Sequence, residues 1–325
     1  MKNYSKQVYI ALLSIMSLCL LMDYVPGAGF LGSWVTPPVA LFLGLVFALT
    51  LGQPFPKFNK KASKMLLQYS VVGLGFGMNL QKSLQSGAEG MAFTIISVVG
   101  TMLIGWIIGR KLLKVDRITS YLISSGTAIC GGSAIAAVGP VVKAKDAEMS
   151  VSLGTIFILN AIALFIFPPI GEALGMTQQQ FGTWAAIAIH DTSSVVGAGQ
   201  AYGEEALQIA TTIKLTRALW IILLALVSSL IFKSKGQRIS IPWFILFFVL
   251  AMIFNTYVLE PTEMGSAIGS FINGIARKSL TVTLFFIGAS LSLDVLKTVG
   301  VKPLIQGVLL WIVISLSTVA YIYCF

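Results

Sequence analysis

Long apolar runs separated by short polar breaks dominate this sequence and limit what it can fold into. Of its 325 residues, 56% are hydrophobic and only 10% are charged, whereas a soluble domain carries about a quarter charged residues. A helix crosses the lipid core with about 20 mostly apolar residues. The sequence therefore predicts an all-α polytopic membrane protein with about nine full spans. These spans are expected near residues 8–25, 36–52, 65–80, 91–109, 149–169, 207–232, 240–258, 276–293 and 303–324, with the polar break 53–64 as a loop.

Two further stretches, 118–142 and 181–203, are apolar but are interrupted by glycines and hydroxyl residues. Each could cross the membrane as a broken helix, or enter and leave on one side as a re-entrant hairpin. With the N-terminus in the cytoplasm, hairpins place Lys143 and Lys145 inside and Glu172 outside. Cytoplasmic loops are enriched in Lys and Arg, so charge favours hairpins, while broken crossing helices stay open as the alternative.

Internal similarity indicates a repeat. Gly126–Ser133 resembles Asp191–Ala198, each with Thr second and Gly seventh, and 74–80 resembles 287–293. Paired interrupted segments around a central span are typical of secondary transporters with inverted repeats. We therefore predict one inverted-repeat, transporter-like membrane domain over residues 1–325.

Lys214 and Arg217 lie inside the apolar run 207–232, and Arg217 is roughly 15 Å of helix from its start. A cation at that depth costs a few kcal/mol unless an anion or a watery cavity meets it. Their spacing of three residues puts both on one helix face. Snorkelling, or pairing with a structural acid elsewhere, would also explain them. Because ionisable residues within membranes mark substrate or ion paths, we predict a functional face here.

The interrupted stretches supply the other candidate binding residues. In the first, glycines free backbone N–H groups that, with hydroxyls, can surround an anion, although small residues also serve close helix packing. In the second, a His-Asp pair at membrane depth needs partners, and Lys214 and Arg217 are the nearest candidates. A purely structural His-Asp-Lys cluster is the alternative. The predicted substrate-binding residues are Gly126, Thr127, Cys130, Gly131, Gly132, Ser133, Asn160, His190, Asp191, Thr192, Ser193, Ser194, Lys214 and Arg217.

Several function classes are disfavoured. The single histidine, His190, and the dispersed cysteines Cys19, Cys130 and Cys324 offer neither a metal-ligand pattern nor a disulfide framework. Adjacent His and Asp side chains point apart, and no Gly-x-Ser-x-Gly elbow is present, so we expect no hydrolase. The net charge of +10 is spread over short loops, which indicates positive-inside topology and not nucleic-acid binding. The first apolar run is interpreted as a retained helix and not as a cleaved signal peptide.

Three motifs occur in order: Ser-Gly-Thr-Ala-Ile-Cys-Gly-Gly-Ser from Ser125, Ala-Ile-His-Asp-Thr-Ser-Ser from Ala188, and Ile-Lys-Leu-Thr-Arg from Ile213. Together they resemble the YeiH-like bacterial membrane proteins, a family labelled as sulfate exporters. The resemblance covers essentially the whole chain. It implies a transporter of the bacterial inner membrane, distantly similar to the cation:proton antiporter and anion transporter superfamily.

We therefore expect a secondary transporter, an exporter by the resemblance, of a small anion such as sulfate or a sulfonate. A positive, hydroxyl-rich and N–H-rich site suits such an anion. The alternative is a cation:proton antiporter in which Asp191 titrates. No enzymatic activity, cofactor or metal is expected. Expected partners are the anion, the lipid bilayer and a coupling proton or sodium ion, with a homodimer as a possible assembly.

Overall fold

The computed structural model describes residues 2–22, 34–89, 91–233, 243–290 and 299–324. Every regular element in these ranges is a helix, so the predicted all-α class is confirmed for them. The α-helices are α1 Lys2–Met22, α2 Pro37–Leu51, α3 Pro56–Gly75, α4 Leu80–Glu89, α5 Met91–Trp106, α6 Arg117–Ala128, α7 Gly132–Val141, α8 Asp146–Ala173, α9 Gln178–Ala188, α10 Thr192–Tyr202, α11 Glu204–Ala218, α12 Trp220–Ile231, α13 Trp243–Phe254, α14 Glu263–Gly288 and α15 Val301–Cys324. Two π-helices, Ile107–Leu112 and Asn255–Leu259, extend α5 and α13.

Five helical segments in the described ranges are long and apolar enough to cross a membrane, fewer than the nine predicted. They are Tyr4–Met22, Phe93–Leu112, Asp146–Ala173, Glu204–Ile231 and Val301–Cys324. Shorter apolar helices include α2, α7 and α13 with its π-helix. The predicted loop at 53–64 is wrong, because α3 already begins at Pro56, where proline suits the first helical turn.

The chain divides into two compact units. The first unit comprises residues 1–81 and 242–293 and contains α1, α2, α3, α13 and α14. In it α14 packs against α2 and α3, and Tyr9 lies in an apolar core with Phe47 and Phe285. The second unit comprises residues 82–241 and 294–325 and contains every candidate site residue. That 1–325 acts as one transporter domain stays a prediction.

Helices α6 and α7 of the second unit form a helical hairpin, hereafter hairpin 1, with its tip at 129–131. Near the start of α6, the Thr119 carbonyl accepts a hydrogen bond from Ser152 Oγ at 3.4 Å. Near the end of α7, Gly139 lies against Met149. Ser152 and Met149 both belong to the first two turns of α8, so hairpin 1 enters and leaves at the same end of that helix. For each hairpin, the end at which it enters and leaves is called its mouth.

Helices α9 and α10 form hairpin 2, with its tip at 189–191. Phe181, near the start of α9, stacks on Tyr202, the last residue of α10, with ring centroids 3.8 Å apart. The Tyr202 hydroxyl donates to the Met176 carbonyl at 2.6 Å. Both ends of hairpin 2 therefore lie together, and Gly171 places them at the last turns of α8.

The two hairpins approach from opposite ends of α8, whose 28 residues span about 42 Å. Their tips meet beside its middle, where Ile156 and Asn160 lie. This geometry favours hairpins over broken crossing helices.

A candidate substrate site at the hairpin tips

The tip of hairpin 1 depends on Gly131. Its φ of +61° lies in the left-handed region, which L side chains adopt only with strain. A Cβ on Gly131 would also lie 2.8 Å from the His190 carbonyl oxygen. Glycine thus both ends α6 and allows the two hairpin tips to touch.

The tip of hairpin 2 is built around Asp191 and His190. Asp191 caps α10, since its Oδ2 accepts the backbone N–H of Ser193 at 3.0 Å and that of Ser194 at 3.4 Å, together with the Ser193 hydroxyl. The His190 backbone N–H donates to Asn160 Oδ1 at 3.0 Å. Asn160 therefore fixes this tip to the middle of α8.

Lys214 binds the end of α9. Its side chain is fully buried, and its Nζ donates to the carbonyls of Ile189 at 2.7 Å and Ala186 at 3.2 Å. The last carbonyls of a helix have no partner within the helix and form its negative end. The ammonium therefore satisfies two of them and compensates the dipole of a helix that ends inside the protein.

Arg217 does the same for hairpin 1. The fully buried guanidinium donates from Nη2 to the Ala128 carbonyl at 2.5 Å and from Nη1 to Ser97 Oγ at 3.0 Å. Two α11 residues one helical turn apart thereby bind the C-terminal ends of α6 and α9. In the described part of the chain these bonds replace the expected pairing with Asp191, whose carboxylate caps α10 instead.

A set of buried polar atoms at this junction has no hydrogen-bond partner among the described residues. They are Thr127 Oγ1, Asn160 Nδ2, both ring nitrogens of His190, Thr211 Oγ1 and Arg217 Nε. Leaving such an atom unpaired costs about 1–3 kcal/mol, so native proteins seldom do it. The guanidinium and amide nitrogens can only donate, and the hydroxyls and imidazole can donate as well. The cluster therefore suits a ligand rich in hydrogen-bond acceptors.

The cluster reaches the surface at the first turn of α7. Ser133 is exposed, and Gly132 and Asp191 are partly exposed. Cys130 is buried behind them and lies close enough to Lys214 and Asp191 for electrostatic interaction. Formal charges of +2 from Lys214 and Arg217 and −1 from Asp191 leave +1. The site therefore carries a net positive formal charge.

The structure brings most of the predicted residues together. Thr127, Cys130, Gly131, Asn160, His190, Asp191, Lys214 and Arg217 lie at the touching tips, with Gly132 and Ser133 at the opening. Gly126 instead faces Ile135 and Ile156 and serves packing within hairpin 1. Thr192, Ser193 and Ser194 are buried in the first turn of α10.

Ser97 is the site residue that the sequence did not indicate. It is a buried hydroxyl on α5 that receives Arg217, 120 positions along the chain. A lone serine within an apolar run gives no signal, because its partner is defined only by packing. Thr211, on the same α11 face as the two cations, was recognisable from spacing.

The family model described as Conserved hypothetical protein 698 matches residues 10–307 of this chain. The UPF0324 membrane protein of Bacteroides thetaiotaomicron is 74% identical over 323 residues, which are 99% of this chain and 97% of the relative. The chain belongs to this family.

Other relatives extend across bacteria. The UPF0324 membrane protein of Porphyromonas gingivalis is 61% identical, covering 98% of this chain and 97% of its own. That of Photobacterium profundum is 49% identical, covering 89% and 87%. No solved structure matches the chain. The relatives are named as membrane proteins, which agrees with the apolar helices found here.

Proposed function

We propose that the protein is a secondary transporter that moves a small oxyanion, such as sulfate or a sulfonate, across the bacterial inner membrane. The observation that supports this most directly is the set of unpartnered, mostly donating atoms at the hairpin tips. Oxyanions supply several acceptor oxygens, and charged hydrogen bonds to them are strong. The net charge of +1 compensates part of the anion's charge.

The ligand would meet only part of each cation. Lys214 has three N–H donors and uses two on carbonyls, and Arg217 keeps Nε unpaired. One N–H from each, the Thr127 and Thr211 hydroxyls and the Asn160 amide are therefore available to the anion. The two hairpins enter from opposite ends of α8 and their tips meet beside its middle. A substrate bound there would be reached alternately from either side, as in the usual transporter mechanism.

Cation:proton antiport is the second candidate. Asp191 is partly exposed, and within the described residues its Oδ2 accepts the hydrogen bonds of Ser193 and Ser194. Its other oxygen could meet a sodium ion or a proton. Against this, the surrounding unpartnered groups are mostly donors, which repel a cation.

Proteoliposomes loaded with buffer at defined pH and sodium concentration separate the two functions. Oxyanion transport requires uptake of radiolabelled sulfate or a labelled sulfonate, whereas antiport requires sodium or proton flux without either anion. Exclusive sodium–proton exchange would reject the anion proposal.

Thr127→Val tests the site itself. It removes one unpartnered hydroxyl at nearly constant shape, and loss of a hydrogen bond to a charged ligand costs about 1.5–3 kcal/mol, or roughly ten- to a hundredfold in affinity. Thr155→Val is the matched control, since that buried hydroxyl bonds to its own helix at Val151. Binding is measured by calorimetry with sulfate. Equal affinities in both variants would remove Thr127 from the site.

A further inference from the structure

Hydroxyl side chains line the contact between α5 and α6, from the mouth of hairpin 1 to Arg217. On α5 and the π-helix that extends it, positions 97, 101, 105 and 109 recur every fourth residue; they are Ser97, Thr101, Gly105 and Gly109. On α6, positions 120, 124 and 127 share a face; they are Ser120, Ser124 and Thr127. All seven are buried. We call this set, with Gln306, the hydroxyl seam.

The two faces oppose each other in antiparallel order. A Cβ on Gly105 would lie 2.7 Å from that of Ser124, and Gly109 lies against Ser120. At the inner end, Arg217 joins Ser97 to the Ala128 carbonyl, the residue after Thr127. The seam therefore extends from the first turn of α6 to Arg217, about 10 Å of helix.

Gln306 of α15 closes the outer half of the seam and leaves one acceptor open. Its side chain is fully buried, and Nε2 donates to Ser120 Oγ at 3.0 Å, the Ser120 carbonyl at 3.1 Å and Ser124 Oγ at 3.3 Å. Its Oε1 has no partner among the described residues. At the inner end, Thr127 Oγ1 is likewise unpartnered. A buried carbonyl and a buried hydroxyl at the two ends each require a hydrogen-bonding guest.

The backbone around Gln306 is irregular at the same level. Helix α5 changes into the π-helix Ile107–Leu112 beside Gly109 and Gln306. Single-turn π segments occur often at functional sites. At this level Gly105 and Gly109 let the Ser124 and Ser120 hydroxyls and the Gln306 amide pack directly against the backbone.

We propose that the hydroxyl seam is a proton route between the mouth of hairpin 1 and the substrate site, so that oxyanion movement is coupled to protons from that side. This inference rests on the proposed transport function. Hydroxyls and water both donate and accept, so each hop breaks one O–H bond while the next forms. A proton can therefore pass with no other reactant.

Among the described residues that contact the seam, the charged groups lie at its two ends. At the mouth, Asp116 caps α6, Arg110 donates to the Val115 carbonyl, and Arg117 lies over the ring of Phe232. At the inner end lies Arg217. Between these ends, the seam residues themselves are uncharged, which suits a relay that carries protons without trapping them.

Two flux measurements in proteoliposomes test the route. Net uptake of radiolabelled sulfate driven by a pH gradient requires proton movement, whereas sulfate counterflow at equal pH does not. We expect Gln306→Leu to lower pH-driven uptake about tenfold, or about 1.4 kcal/mol on the barrier, and to leave counterflow unchanged. Ser152→Ala is the matched control, because this buried serine lies against the other side of α6 at the Thr119 carbonyl; it should change neither flux.

The outcomes separate this inference from the proposed function. Absence of both fluxes in the wild-type protein rejects oxyanion transport and the route with it. If the wild-type protein shows both fluxes and Gln306→Leu changes neither, only the route is rejected. If Gln306→Leu lowers both fluxes, the milder Ser124→Ala decides: selective loss of pH-driven uptake supports the route, and any other result overturns it.

Discussion

Two buried cations one helical turn apart repel each other, yet Lys214 and Arg217 are held by carbonyl oxygens of two different helices. Their charges are placed where α6 and α9 end inside the protein, and such ends attract cations. Each residue therefore both stabilises a hairpin tip and presents its remaining N–H to the site.

Arg217→Lys should impair the protein although the charge is kept. A single ammonium cannot reproduce the two-armed contact with Ala128 and Ser97, and a buried acceptor left unpaired costs about 1–3 kcal/mol. We expect a lower thermal unfolding temperature and weaker sulfate binding. Arg117→Lys, at an exposed cation–π contact with Phe232, is the control and should be nearly neutral.

A double variant distinguishes this account from simple neutralisation. If Arg217 only compensated Asp191, then Arg217→Gln combined with Asp191→Asn would restore activity. Because Asp191 caps α10 instead, we expect no rescue in the flux assay. Full recovery would contradict the carbonyl-binding role.

Asp116 provides a pH-dependent test at the mouth of hairpin 1. Partial burial alone would raise the pKa of this carboxyl, but hydrogen bonds from the N–H groups of residues 117–119 lower it below the ordinary 3.8. A lowered pKa means that the cap stabilises fully above the unfolded value and is lost as pH falls through the folded one. We expect Asp116→Ala to cost about 1 kcal/mol at neutral pH, and less below about pH 4. Asp116→Asn, an equally good cap, should cost little in the same unfolding measurements and should flatten the pH dependence.

At the scale of elements, Gly131 and Gly132 are adjacent but should differ sharply. Alanine at Gly131 meets the His190 carbonyl and a positive φ, which costs roughly 1–2 kcal/mol for the backbone alone. Alanine at Gly132 meets only the edge of Phe157 at 3.3 Å, in an ordinary helical turn. We expect Gly131→Ala to abolish sulfate flux and Gly132→Ala to retain it, in variants matched for membrane insertion. Equal effects would mean that the tips need not touch.

The hairpins were recognisable from sequence because glycine clusters and loop charges both report on backbone direction. The partners of Lys214 and Arg217 were not, since backbone carbonyls at helix ends leave no mark in the sequence. The polarity of the lysine-rich segment before Lys64 predicts a loop, whereas the segment is helical from Pro56. Polarity reports exposure to water more directly than it reports secondary structure.

At the scale of the second unit, basic residues outnumber the acidic Asp116, Asp146 and Glu148 at the mouth of hairpin 1, whereas acidic residues stand at the other mouth. Basic residues collect around the mouth of hairpin 1, at Arg110, Lys111, Lys114, Arg117, Lys143, Lys145, Lys233 and Lys302. Glu172, Glu204 and Glu205 lie at the mouth of hairpin 2, where Gln178 binds the Glu205 backbone. By the positive-inside rule, we expect hairpin 1 to open to the cytoplasm.

Reporter fusions and cysteine labelling check this orientation. The end of α15 lies at the mouth of hairpin 2, since Tyr323 donates to the Leu174 carbonyl. We expect a C-terminal alkaline phosphatase to be active and a C-terminal green fluorescent protein to be dark. In intact cells that carry a protein without Cys19 and Cys324, an impermeant thiol reagent should leave Lys143→Cys unmodified. The buried Cys130 can remain. The reverse pattern would invert the assignment of sides.

The bonds from α11 also set an order for assembly at the ribosome. Arg217 reaches back 89 residues to Ala128, and Lys214 reaches back 25 to Ile189. At a synthesis rate of about 5–20 residues per second, Arg217 is made about 4 to 18 s after Ala128 of hairpin 1. A nascent chain halted before α11 therefore exposes unsatisfied helix ends to the insertion machinery and to membrane proteases. Helix α11 is synthesised after both hairpins, and its two cations stabilise their tips.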